Sequence, residues 1–114
     1  MQHAINGLRQ TSQGHSNFLV HLTISLAVLL AGVIFGLTST EWLIIALVIT
    51  VGLMMELINT AIESVVDLVT LEWRLSAKLA KDAAAAAMLI YALGAAVIGL
   101  LIFIPKLLSL LNPT

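Results

Sequence analysis

Between Met54 and Asp67 the chain reads Met-Met-Glu-Leu-Ile-Asn-Thr-Ala-Ile-Glu-Ser-Val-Val-Asp. On a helix each residue advances by roughly 100°. With Glu56 at zero, Asn59 falls at about −60°, Thr60 at about +40°, Glu63 at about −20° and Asp67 at about +20°. All five share one face, and Leu57, Ile58, Ile62 and Val65 occupy the other. Two carboxylates a few turns apart can divide a reaction between them. One takes or gives a proton, and the other holds a divalent cation. An amide at Asn59, between them, can orient a substrate or stabilise charge. The competing reading is that this stripe joins helices through hydrogen bonds.

A second cluster follows: Glu72-Trp73-Arg74, Lys78 and Lys81-Asp82. Lys81 reads either as the basic flank of an apolar span or as a phosphate-binding cation. Asp82 reads as the N-cap of the helix that begins there, or as a carboxylate that holds Lys81 in place. Trp73 reads as an interfacial anchor or as an aromatic that stacks on a base.

The elements that carry these residues are written in the composition. Hydrophobic residues make up 61% of the 114, and charged residues only 10%. Soluble domains average about 25% charged residues. Composition therefore excludes a disordered chain, a secreted disulfide scaffold and an ordinary soluble domain. With no cysteine, disulfides and thiolate metal sites are excluded too. The net charge of −1 leaves no basic face for nucleic acid.

Three apolar runs are long enough to cross a bilayer, which takes about 20 residues. They cover about 18–37, 42–69 and 83–104. None alternates with period two, so helices are expected rather than barrel strands. The polar break at Thr38-Ser39-Thr40-Glu41 separates the first two runs, and Trp42 fits an anchor at the outer surface. Residues 1–16, with Ala4, Ile5 and Leu8 at helical spacing, read as an amphipathic surface helix or as an unstructured terminus. The small residues from Ala83 to Ala87, with Gly94 and Gly99, suit close helix packing.

Arg9, Arg74, Lys78 and Lys81 fall on one side of this layout and Lys106 on the other. The positive-inside rule then places the N-terminus in the cytoplasm and the C-terminus outside. From Trp42, Glu56 is about 21 Å along the helix and Glu63 about 32 Å. The hydrocarbon core is about 30 Å thick. Glu56 is therefore expected within the inner leaflet, and Glu63 at its watery surface. Eight of the eleven charged residues lie between Glu56 and Asp82. A carboxylate in lipid, a carboxylate in water and nearby cations suit transfer of a phosphoryl group from a soluble donor to a lipid. Neither a Walker A loop nor a protein-kinase motif set is present. A non-catalytic oligomeric membrane protein, with a cation or proton path lined by Glu56 and Glu63, is the alternative.

The stretch Glu56-Leu-Ile-Asn59-Thr60-Ala61-Ile-Glu63-Ser-Val-Val-Asp67 resembles the E-x-x-N-T-A-x-E-x-x-x-D signature of the bacterial integral-membrane diacylglycerol kinase and undecaprenol kinase family. Lys81-Asp82-Ala-Ala-Ala is similar to its A-K-D-x-A-A run, and Gly7-Leu8-Arg9 to its early G-L-R/K segment. The resemblance covers nearly the whole chain. It implies an all-α membrane protein with three transmembrane helices and an amphipathic N-terminal helix, assembled as a homotrimer in the bacterial inner membrane. It implies transfer of the γ-phosphate of ATP, with Mg2+, to the primary hydroxyl of a membrane lipid. In that reading Glu56 is the catalytic base and Asn59 its neighbour. Glu63 binds the metal, Lys81 and Asp82 serve the phosphates, and Trp73 stacks on adenine.

Three positions depart from the family pattern. Counting from Gly7-Leu8-Arg9, His15 stands where a second glutamate ligand is usual. Imidazole is a poor magnesium ligand, so one Glu63-bound ion and a weakened second site are expected. Leu19 replaces a frequent basic residue, and Trp73-Arg74 an aromatic–histidine pair. His21 is expected near the inner interface, as an incidental polar group or as one facing the substrate. The continuation Asp67-Leu-Val-Thr70 is closer to undecaprenol kinases.

Overall fold

The computed structural model describes residues 1–13 and 17–113. Among these there are four helices: α1 (Gln2–Gln13), α2 (Phe18–Phe35), α3 (Ser39–Val69) and α4 (Leu75–Leu111). The last three are long and apolar enough to cross a membrane. The protein is an all-helical membrane protein, elongated at 62 × 33 × 20 Å.

The α2–α3 turn is written locally. Gly36 closes α2 in the left-handed region at φ 65°, where a Cβ would be strained. Two residues later a capping box opens α3. Thr38 Oγ1 accepts the Glu41 N–H at 3.3 Å, and Glu41 Oε2 accepts the Thr38 N–H at 2.7 Å. Trp42 is folded inward here rather than left free in the interface. A Cβ on Gly32 would lie 2.7 Å from its ring, so that glycine is what admits the indole. Leu37, Ile45 and Ile102 form the small core beneath, with Trp42, Ile49 and Phe103 packed against it.

α3 and α4 run antiparallel and are tied near both ends. Glu41 Oε2 pairs with Lys106 Nζ at 3.0 Å, and Asp67 Oδ1 with Lys81 Nζ at 2.6 Å. Those residues are 26 apart on α3 and 25 apart on α4, roughly 38 Å on each helix. Between the ties, the Tyr91 hydroxyl donates to the Val48 carbonyl at 2.8 Å.

The helix α4 outruns its apolar stretch at both ends. It begins at Leu75, with Arg74 at the N-cap, and carries Lys78, Lys81 and Asp82 within its first turns. Asp82 is therefore not an N-cap. Leu-Ser-Ala-Lys-Leu-Ala-Lys-Asp contains good helix formers, and charge alone does not end a helix. At the other end α4 runs through Pro105 to Leu111. Of the alanine run only Ala84 is buried, while Gly94 and Gly99 face open space.

Candidate active site

Glu56 lies on α3 opposite the beginning of α2. It is the one buried charged side chain among the described residues, at 3% exposure. A buried carboxylate needs hydrogen bonds or a charge partner. Its Oε1 accepts the backbone N–H of Asn17 at 3.0 Å, a donor that α2 leaves free because it lies at the helix start. Its Oε2 faces His21 Nε2 at 3.8 Å. Asn17 and His21 are one turn apart, joined by the His21 N–H to Asn17 C=O bond. One turn of α2 thus meets both carboxylate oxygens. The expectation for His21 was open, and the structure puts it beside Glu56.

One turn further along α3, Asn59 Nδ2 donates to Glu63 Oε1 at 3.3 Å. Asn59 Oδ1 is buried without a hydrogen-bond partner. Glu63 itself is exposed. The Glu63 carboxylate supplies hard oxygens, which suit magnesium, and a turn of the Asn59 amide would bring its oxygen to the same ion. Among the described residues no group of three His, Cys, Asp or Glu comes together. Magnesium commonly takes only one or two carboxylates and completes its shell with phosphates and water, so the pair fits the ion. His15, the expected second ligand, lies outside the described residues.

Beyond Glu63 the stripe reaches a second pocket of about 510 Å³ between the end of α3, loop 70–74 and the start of α4. Asp67, Trp73, Arg74, Lys78, Lys81 and Asp82 line it. Trp73 is 78% exposed, so its ring is free to stack. Lys81 is held by Asp67 and not by Asp82, whose carboxylate pairs with Lys78 one turn earlier. The i,i+4 spacing explains that choice, since adjacent residues point apart on a helix. Asp82 therefore contributes to the same pocket through Lys78 rather than by supporting Lys81.

Sequence reasoning assigned Glu56, Asn59, Glu63 and Asp67 to one face, and the structure brings them into one stripe. It missed the Asn17 N–H, which is a backbone group with no residue-type signal. A cavity of about 570 Å³ also opens beside His21. Ile24, Ser25, Tyr91, Ala95 and Phe103 are among its walls.

The profile of the prokaryotic diacylglycerol kinase family matches residues 2–103. An undecaprenol kinase of Bacillus subtilis (strain 168) is 46% identical over 105 residues, covering 92% of this chain and 85% of that protein. A diacylglycerol kinase of Synechocystis is 40% identical over 96 residues, covering 83% of this chain but only 55% of that protein. A buried carboxylate at one end of the stripe, and at the other a pocket where Arg74, Lys78 and Lys81 are balanced by Glu72, Asp82 and Asp67, suit a kinase acting on lipid. The chain belongs to the prokaryotic diacylglycerol kinase family, and with it to the membrane lipid kinases.

Proposed function

We propose that this chain transfers the γ-phosphate of ATP to the primary hydroxyl of undecaprenol, with Glu56 as the base. The observation that carries the reading is the burial of Glu56 at one end of a polar stripe whose other end opens on a pocket lined by Arg74, Lys78 and Lys81, each paired with a carboxylate. The lipid hydroxyl approaches Glu56 and gives up its proton as its oxygen bonds to the γ-phosphorus. The bond from that phosphorus to the bridging oxygen breaks, and the electron pair leaves with ADP. Asn59 and Glu63 would hold magnesium, which neutralises phosphate charge when bound. Lys81 leaves Asp67 to meet the phosphates, and Trp73 stacks on the base.

Undecaprenol is favoured over diacylglycerol by the closer and fuller match to the Bacillus protein. The Asp67-Leu-Val-Thr70 continuation supports the same choice. We read the active assembly as a homotrimer in the inner membrane, with N-terminus and loop 70–74 cytoplasmic and α1 on the surface. The family resemblance supports this. Incubating the purified protein with labelled ATP, magnesium and a panel of lipid alcohols tests the reading. Label is expected in undecaprenyl phosphate, and a Glu56→Gln protein should give at least about 10²-fold less. Faster labelling of diacylglycerol than of undecaprenol would reverse the substrate assignment.

A further inference from the structure

The two oxygens of Glu56 have different surroundings. Oε1 is occupied by the Asn17 N–H at 3.0 Å. Oε2 carries no such bond and faces His21 Nε2 at 3.8 Å. That distance is too long for a hydrogen bond, so Oε2 keeps a lone pair for an incoming proton. A base that has taken a proton must lose it before it can act again. Glu56 has 3% of its side chain exposed, against 23% for His21, so the carboxyl cannot exchange freely with water.

The groups around this gap narrow the choice. The Tyr91 hydroxyl is engaged with the Val48 carbonyl at 2.8 Å, and its ring lies tilted against His21 at 6.3 Å. The Ser25 hydroxyl donates to the His21 carbonyl at 2.7 Å. Asn17 meets the other oxygen. From α4, Tyr91 is the titratable group that faces the imidazole, and from α3 it is Glu56. His21 borders both Oε2 and the open cavity. It also stands only three residues into α2, about 4.5 Å from the helix start.

We propose that His21 is the proton outlet of Glu56. It is a positioning residue that acts through the base, and the inference rests on the lipid kinase reading with Glu56 in that role. After phosphoryl transfer the proton on Oε2 passes to Nε2, and the imidazole releases one from Nδ1 to water at the α2 start. The O–H bond breaks as the Nε2–H bond forms, the Nδ1–H bond then breaks as a water oxygen takes that proton, and tautomer exchange through water frees Nε2 for the next turnover, with no change of oxidation state. Imidazole gains and loses protons at neutral pH, and apo contacts of this kind often tighten when substrate is bound.

The role separates the first turnover from those that follow. Full-length wild type, His21→Gln and Glu56→Gln are compared in lipid bicelles with labelled ATP, by rapid quench and at steady state. His21→Gln is expected to complete its first turnover within about twofold of wild type. Its steady-state kcat should fall at least about tenfold, a modest share of what positioned proton transfer supplies, with the KM for ATP unchanged. His21→Asn should show the same split, and serves if the Gln protein does not fold. Steady-state turnover equal to wild type would overturn the proposal. So would a first turnover slowed as much as the steady state, because His21 would then only hold the geometry. Turnover by Glu56→Gln close to wild type would instead remove the base itself, a separate failure.

Discussion

Asn59 and Glu63 are joined by a 3.3 Å hydrogen bond along one turn of α3, and the other polar atom of Asn59 is buried without a partner. The donor side of the amide is used and the acceptor side is spare. A cation on the carboxylate would displace that N–H, and turning the amide would give it the spare oxygen. Glu63→Gln removes the charge and keeps the shape. The magnesium concentration for half-maximal rate should rise at least about tenfold, and Asn59→Leu should do the same. A magnesium titration of lipid phosphorylation measures both.

Glu56→Gln leaves Oε1 able to accept the Asn17 N–H, so the contact between α2 and α3 survives. Only the basic oxygen is lost. Turnover should fall by about 10²-fold or more, while the thermal midpoint stays within a few degrees of wild type. A large loss of stability would mean that the carboxylate serves packing.

Lys81 is about half exposed and so is its partner Asp67. Exposed pairs are worth about 0.2–1 kcal/mol, too little to compete with a triphosphate. Asp67→Asn should therefore change the KM for ATP by no more than about fivefold, the upper end of that range. Lys81→Met should raise it well beyond that. Initial rates over a range of ATP concentrations check the contrast.

Gly52 carries the Tyr91 ring directly on its backbone. A Cβ there would stand 2.1 Å from the hydroxyl and 2.4 Å from the adjoining ring carbon. Gly52→Ala should destabilise the protein by about 1–3 kcal/mol, as overpacking does. Adding Tyr91→Ala should recover much of that loss. Thermal unfolding of the single and double variants in one detergent tests it.

His15→Glu places an oxygen ligand where the resemblance implies a second metal ligand. Turnover should rise, or the magnesium requirement should drop. No change in either would remove position 15 from the metal site.

How much was legible depended on whether a feature was local. The 3.6-residue period placed Glu56, Asn59, Glu63 and Asp67 on one face, and the Asn59–Glu63 bond is a direct result. Thr38 and Glu41 likewise write their own cap. The Asn17 N–H on Glu56 is not local, for it joins residues 39 apart through a backbone atom. Lys81 was found as a cation, but its partner Asp67 lies across a helix pair, and adjacency pointed wrongly to Asp82. The start of α4 was obscured because hydropathy marks where lipid begins, whereas helix propensity marks where the helix does.

The ties at Glu41–Lys106 and Asp67–Lys81 bear on bilayer thickness. Sliding α3 past α4 by one turn, about 5.4 Å, would break both pairs and the Tyr91–Val48 bond. Shear between the two helices therefore has a cost at three places at once, which favours tilting as one strut in a thinner or thicker membrane. Glu56 and Asp67 ride on that strut at a fixed separation. In the proposed reaction the span from lipid hydroxyl to nucleotide is thus gauged by α3 rather than by the lipid around it.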